Sequence, residues 1–196
     1  MKRRDFIGKA GLGIATGAVA ASTLSAPAIA SGHQEWIICS AFGKAGLLGQ
    51  AIQAFGDNIN RYSDKLKIKV YHAGELVPGL ESLDAVRSGA AQASYGAPYY
   101  WTNLSDAIEF VATCPFGMNA MEQNAWCYYG GGIEEADKIY NALGLKFLPM
   151  GNTGNQMGGW FNKEINTPAD YQGLKMRMPG LGGRTIEKLG ATPVLL

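Results

Sequence analysis

The chain has 196 residues, 47% of them hydrophobic, and its 17 basic and 16 acidic side chains leave a formal net charge of +1. This even balance argues against binding to nucleic acid or to an anionic membrane surface, since both select basic proteins. Two histidines and three cysteines are also too few and too scattered for a zinc hydrolase, a structural zinc site or a disulfide framework.

Residues 1–30 have the pattern of an export signal. A basic head with paired Arg3 and Arg4 precedes a weakly apolar stretch, 10–24, that is rich in Ala and Gly. An Ala-Ile-Ala sequence then predicts cleavage before Ser31. The paired arginines are similar to a twin-arginine export signal. A short membrane anchor is the alternative, but about 15 apolar residues diluted by glycine are too few to span a bilayer comfortably.

Residues 31–196 are enough for one domain with a sizeable core and too few for two full domains. They carry 13 basic and 15 acidic side chains, so the net charge of this part is −2. In an oxidising compartment the three cysteines allow either one disulfide with a spare thiol or three buried free thiols. Both alternatives stay open at the level of sequence.

Strands and helices alternate along the first half. An apolar run at 36–39 predicts a strand, and apolar residues at helical spacing predict a helix over 47–59. Apolar residues that alternate with lysines over 66–70 predict a strand with one solvated face. A second helical stripe at 80–86 and a strand over 91–95 follow.

The same alternation continues beyond residue 120. A helix around 121–129 is interrupted by the glycine triplet 130–132 and resumes over 134–143. A strand over 146–150 and an extended segment at 157–162 come next.

In the last part of the chain, a capping threonine, Thr167, followed by a proline predicts a helical turn. Three more elements are predicted after this turn. They are a strand over 174–178, a helix over 181–189 and a strand beginning at Thr192. This order implies an α/β fold, an open sheet with helices on its faces. Because ligands of such sheets lie at the carboxyl ends of strands, functional residues are expected in the loops there.

Four spaced motifs carry a specific resemblance. They are GELVPGL at 74–80, NAW with GGGI between 124 and 133, GNTGNQMGGWF at 151–161 and GLKMR at 173–177. In this order they resemble the DctP family of TRAP transporter receptors, and more narrowly its branch that binds 2-oxo acids such as pyruvate.

The resemblance implies a periplasmic-binding-protein-like fold of two α/β lobes joined by a hinge. On this expectation residues 31–153 form most of lobe 1, while residues 154–196 only begin lobe 2, because chains of the family are far longer. Lobe 1 would then lack strands that return from later sequence. An open sheet edge and uncovered apolar surface are expected.

Arg177 is the first candidate for binding. A guanidinium offers a planar fork of donors that matches a carboxylate, and it stays charged at any relevant pH. In the family an arginine of this Leu-Lys-Met-Arg strand holds the substrate carboxylate, and Arg177 matches it. A surface arginine paired with an acidic side chain is the alternative.

Gln156 is the candidate metal ligand. Its amide oxygen can coordinate a hard cation while its nitrogen contacts substrate or a neighbour. The resemblance implies that a glutamine at this position helps to ligate sodium or calcium, which bridges protein and ligand. One glutamine cannot hold a metal alone, so the site is predicted as incomplete in this chain. The alternative is a polar residue that satisfies the backbone of a glycine-rich turn.

Tyr99 and Tyr100 are the third candidate, since their hydroxyls can bond a substrate oxygen while their rings exclude water. Related receptors carry tyrosines here. The 2-oxo acid branch commonly has a longer tyrosine run, where this chain has Pro98 before the tyrosines and Trp101 after them. This difference bears on pocket size and therefore on the ligand.

The expected function is that of a periplasmic receptor that captures a small monocarboxylate for sodium-coupled uptake and catalyses nothing. The resemblance implies TRAP membrane subunits as partners, and some relatives form homodimers. The alternatives are a receptor for lactate or another 2-hydroxy acid with bound calcium, or a nonfunctional fragment. An enzyme is disfavoured, because neither histidine accompanies a Ser or Cys in a nucleophile motif and the glycine-rich segment lacks a phosphate-binding fingerprint.

Overall fold

The computed structural model describes residues 32–195, and the export signal predicted for residues 1–30 lies outside them. Strands and helices alternate, which confirms the predicted α/β class. In chain order the elements are β1 (Gln34–Ser40), α1 (Leu47–Tyr62), β2 (Leu66–Tyr71), α2 (Ser82–Arg87), β3 (Ala93–Tyr95), α3 (Ala120–Tyr129), α4 (Gly132–Asn141), β4 (Lys175–Arg177), α5 (Gly180–Glu187) and β5 (Thr192–Val194). Short 3₁₀ helices occupy Gly79–Glu81, Pro98–Trp101, Ile108–Val111 and Pro168–Tyr171.

Two parallel sheets organise these elements. The first has the order β2-β1-β3, and the second joins β4 to β5. In the first sheet Ser40, the last residue of β1, pairs with Tyr95, the last residue of β3. The carboxyl ends of these two strands therefore lie side by side, and the loops that follow them are neighbours. The predicted lobe boundary at residue 153 stays a prediction.

Helix α1 packs closely on the first sheet. Its inward face buries Ile52 in one cluster with Ile38 of β1 and Ile68 of β2. Burial of each such side chain stabilises the fold by about 1.5–3 kcal/mol relative to exposure. Gly56 brings the helix backbone against β2, since a methyl group there would lie 2.9 Å from Val70 Cγ2.

A second core lies under the middle of the chain. Trp101 and Ile108 from the 3₁₀ helices pack there with Ala136 and Tyr140 of α4. The Trp101 indole nitrogen donates to the Leu80 carbonyl at 2.8 Å, so its polar atom is satisfied inside the protein. This packing fixes the segment around residues 98–101 against the rest of the molecule.

The glycine triplet separates α3 from α4 as predicted. Asn119 caps the start of α3, accepting from the backbone of Met121 and Glu122, while the Glu122 carboxylate accepts from the Asn119 backbone. Helix α3 ends at Tyr129, and Gly131 has a φ of +85°, in the left-handed region that favours glycine. The two helices are therefore short and sharply separated.

One predicted strand is corrected by the structure. Residues 146–150 were expected to form a strand, but they form none. A strand requires a partner for its ladder of hydrogen bonds, and none of the described strands pairs with these residues. Apolar composition alone therefore did not determine their conformation. The extended segment expected at 157–162 stays a prediction. Trp160, within residues 157–162, is 89% exposed.

The cysteines are free thiols in the described part of the chain. Cys39 and Cys127 are buried, and Cys114 is half-buried. Burial raises the pKa of all three, so they remain protonated near neutral pH. Of the two alternatives, the structure therefore shows free thiols and not a disulfide.

Within residues 32–195 none of the helices has both the length and the apolar character needed to cross a membrane.

Candidate functional site

The structure brings Arg177 and Tyr100 together. Arg177 ends strand β4, and its Nη2 donates to the Tyr100 hydroxyl at 3.2 Å. The guanidinium carbon also lies 5.9 Å from the centre of the Tyr100 ring, within the range of a cation–π contact. Two residues that lie 77 positions apart in sequence thus form one contact. The guanidinium keeps further donors for an anion, because it has five N–H groups.

Tyr99 lies beside this pair on the same 3₁₀ helix, Pro98–Trp101. Its ring meets the edge of the Tyr100 ring with 5.1 Å between centroids. Burial raises the pKa of Tyr99, with a further contribution from the neighbouring Tyr100. The Tyr99 hydroxyl therefore stays protonated and able to donate. Pro98 at the start fixes the backbone angle that opens this turn.

Phe42 and Tyr95 extend the aromatic surface and were missed from the sequence. The Phe42 ring lies 5.5 Å from the Tyr95 ring and 6.1 Å from the Tyr100 ring, measured between centroids. Both residues stand at or just after the carboxyl ends of the adjacent strands β1 and β3. That position was the signal available in the sequence, since loops at these ends are where ligands bind.

Two concave regions lie at this end of the first sheet. The larger, about 540 Å³, is formed by residues 42–49 with Thr153. The smaller, about 300 Å³, lies between the tyrosines and the start of α5, and includes Arg184. Phe42 lines the larger region, whereas Tyr99 and Tyr100 line the smaller one. Arg177 lines neither region but contacts Tyr100, so the candidate site is the cleft beside this contact.

Gln156 lies in an exposed loop and is not joined to Arg177 by any hydrogen bond among the described residues. Its amide nitrogen donates to the Thr153 hydroxyl at 2.7 Å. Thr153 in turn lines the larger concave region. This hydrogen bond directs the nitrogen toward the loop and leaves the carbonyl oxygen of the same amide for another partner.

The acidic and sulfur ligands of a complete metal site are not assembled here. Within residues 32–195 no group of three or more His, Cys, Asp or Glu side chains is placed to hold an ion. The oxygen of Gln156 is a hard ligand of the kind that sodium and calcium prefer. It fits such a cation as one ligand among several.

The family of this chain follows from comparison with known proteins. The model of the bacterial extracellular solute-binding protein family 7, DctP, matches residues 42–196. The chain belongs to this family, which agrees with an α/β fold whose cleft lies at strand ends.

A curated relative and two solved structures carry the comparison further. The monocarboxylate 2-oxoacid-binding periplasmic protein of Nostoc sp. strain PCC 7120 is 39% identical over 202 residues, covering 100% of this chain and 55% of the relative. A TRAP periplasmic solute-binding protein from Pseudoalteromonas atlantica, solved with sodium and pyruvate, matches 84% of this chain and 50% of its own at 41% identity and a TM-score of 0.80. One from Colwellia psychrerythraea, solved with calcium and pyruvate, matches 84% and 51% at 40% identity and a TM-score of 0.80. The chain thus spans about half the length of these relatives.

Proposed function

We propose that this chain is part of a periplasmic TRAP transporter receptor that binds a small monocarboxylate, a 2-oxo acid such as pyruvate, and catalyses no reaction. The observation that carries the proposal is the contact of Arg177 with Tyr100, a residue that lines the smaller concave region. Two relatives at about 40% identity were solved with pyruvate and a cation, which supports the ligand class.

Arg177 supplies the charge that a carboxylate needs. Its guanidinium forms two parallel hydrogen bonds to such an anion, and the Tyr100 hydroxyl holds one of its nitrogens in place. Tyr99, whose hydroxyl is protonated at neutral pH, donates to a ligand oxygen. A neutral analogue is rejected, since it would leave Arg177 without a counter-charge in a closed cleft.

Gln156 would hold the cation through its carbonyl oxygen, together with ligands from beyond this chain. Sodium or calcium held there would supply positive charge beside the carboxylate. The hydrogen bond from Gln156 to Thr153 orients the amide for this role. Hinged closure of two lobes then excludes water, and the closed form docks on the TRAP membrane subunits for sodium-coupled uptake. Homodimerisation stays a prediction that sedimentation would test.

The test is isothermal titration of pyruvate into the full-length receptor, by which we mean this chain carried to the length of its relatives. Titrations with and without sodium or calcium identify the cation. Arg177→Ala removes a charged hydrogen-bonding partner, and we expect pyruvate binding to weaken by at least about 30-fold. Arg87→Ala is the matched control, because Arg87 is an exposed arginine paired with Asp84.

Pyruvate affinity retained by Arg177→Ala would overturn the proposal. A competition panel with lactate and branched 2-oxo acids separates the remaining ligands. Tighter binding of lactate in the presence of calcium would assign the receptor to 2-hydroxy acids instead. Binding by neither the 196-residue chain nor the full-length receptor would show that the ligand class is wrong.

A further inference from the structure

Glu109 is a buried carboxylate that contacts the helix following Arg177. It lies in the 3₁₀ helix Ile108–Val111, and only 1% of its surface is exposed. Its Oε1 accepts a hydrogen bond from Nη2 of Arg184 in α5. The other end nitrogen of the same guanidinium lies 3.6 Å from the exposed carboxylate of Asp106. A guanidinium that is about half exposed thus neutralises a carboxylate that water does not reach.

The second oxygen of Glu109 lies against the start of α5. Oε2 is buried and has no hydrogen-bond partner. A methyl group placed at Gly180 would lie 2.7 Å from this oxygen and 2.9 Å from Cβ of Tyr99. Gly180 has a φ of +57°, a backbone conformation that favours glycine. Glu109, Gly180 and Tyr99 therefore meet in one close contact that leaves no room for a side chain.

This contact lies next to the segments that carry Arg177 and Tyr100. Arg177 precedes Gly180 by three residues, so the start of α5 sets the direction of the chain that leaves Arg177. Tyr99 is adjacent to Tyr100, whose hydroxyl accepts from Arg177. The start of α5, three residues after Arg177, thus lies against both Glu109 and Tyr99.

A simpler view is that this ion pair only stabilises the fold. Two observations favour a positional role. Burying a carboxylate is costly, and an apolar residue in its place is often equally stable, so such pairs are weak evidence for stability. The pair also joins the 3₁₀ helix to α5 across 75 residues of sequence, directly beside the tyrosines of the cleft. An ion pair fixes orientation more narrowly than apolar contact, because the guanidinium and carboxylate have matching geometries.

We propose that Glu109 is a positioning residue, which through Arg184 holds the start of α5 and thereby sets the orientation of Arg177 toward a bound carboxylate. The proposal rests on the proposed function, because it gives Arg177 the role of anion ligand. It adds a residue that never touches the ligand.

The first experiment is a double-mutant cycle in the full-length receptor, with pyruvate affinity as the readout. Glu109→Gln keeps the shape of the side chain and removes its charge. We expect the Kd for pyruvate to rise about tenfold, within the usual coupling range of neighbouring charged groups. On an Arg177→Lys background the same change is expected to add less than about twofold, since Glu109 acts through the geometry of Arg177. Glu135→Gln is the control, because Glu135 forms an exposed ion pair with Lys138.

A fold-stabilising pair would weaken binding equally on both backgrounds, and that outcome overturns the proposal. Preference for pyruvate over its neutral amide is expected to fall in Glu109→Gln, and an unchanged preference also counts against it. If Glu109→Gln fails to fold, Arg184→Lys serves in the same cycle. It keeps the charge at a half-exposed position but loses the planar fork.

The second experiment needs no ligand and separates failure of this inference from failure of the proposed function. Amide hydrogen exchange is measured for peptides that cover 177–187 in the unliganded receptor. Faster exchange there in Glu109→Gln, with unchanged exchange in Glu135→Gln, supports the positioning role. Unchanged exchange in both variants overturns it, even if pyruvate binds. Absence of pyruvate binding by the unaltered receptor would overturn the proposed function instead.

Discussion

At the scale of single residues, the Arg177–Tyr100 contact explains how an anion site can exist in a chain of nearly neutral charge. The tyrosine contributes its ring face and its hydroxyl to the guanidinium, and neither neutralises the positive charge. A carboxylate partner would have consumed that charge. Arg184 shows the opposite arrangement, because its guanidinium is already occupied by Glu109. The two arginines therefore differ, because Arg184 is paired with a carboxylate and Arg177 contacts a tyrosine.

Tyr100→Phe tests the hydroxyl of this contact. The change removes one acceptor of Arg177 and keeps the ring, so we expect pyruvate affinity of the full-length receptor to fall about fivefold, equivalent to about 1 kcal/mol. Isothermal titration measures the effect. Tyr62→Phe is a matched control, because Arg61 lies 5.9 Å from the centre of the Tyr62 ring, in the same kind of contact far from the cleft. Equal affinities of Tyr100→Phe and the unaltered receptor would show that the ring alone is sufficient.

At the scale of elements, the close approach of α1 to the first sheet determines the position of the loop that precedes the helix. Residues 42–49, which include the start of α1, form most of the larger concave region. Gly56 permits the approach, since a methyl group at this position would lie 2.9 Å from Val70 Cγ2 and 3.3 Å from Ile68 Cγ2. Helix position and cleft shape are thereby coupled.

Gly56→Ala is expected to destabilise the protein although alanine favours helices. The gain in helix propensity is about 1 kcal/mol, while overpacking against two branched side chains costs about 1–3 kcal/mol. The expected net loss is about 1 kcal/mol in the free energy of unfolding, measured by urea denaturation of the full-length receptor. Asn58→Ala, on the exposed face of the same helix, should be neutral or slightly stabilising. A more stable Gly56→Ala variant would show that α1 is free to shift outward.

At the scale of the whole molecule, many large apolar side chains of the described residues are exposed. Phe116, Tyr129 and Trp160 are each about nine-tenths exposed or more. Strands β2 and β3 each pair on one side only within residues 34–95. Single exposed apolar residues are ordinary, but many together mark surfaces that another part of a protein or a partner covers.

This surface predicts a difference between the 196-residue chain and the full-length receptor. We expect the shorter chain to bind the dye ANS more strongly per molecule, because the dye reports accessible apolar surface. Fluorescence titration at equal molar concentration measures it, and near-ultraviolet circular dichroism checks that both proteins are folded. Equal dye binding would mean that the additional sequence leaves these side chains exposed.

Much of the fold was predictable from local pattern. Apolar periodicity placed α1, β2 and α5 within a few residues of their observed bounds, because each buries one face against a neighbour. It was wrong at 146–150, where the apolar residues pair with none of the strands among residues 32–195. Strand formation depends on a partner elsewhere in the chain, and periodicity does not report one.

The sequence by itself determined the family, the α/β class and the chemistry of the candidate residues, since a guanidinium or an amide has the same donors wherever it lies. The tertiary structure decided which of these groups meet. It placed Tyr100 against Arg177, with Phe42 and Tyr95 beside them. It also buried Glu109 against α5, the helix that follows Arg177. These contacts arise where distant segments converge at the carboxyl ends of parallel strands. Such distances are set by packing, which no local pattern of residues encodes.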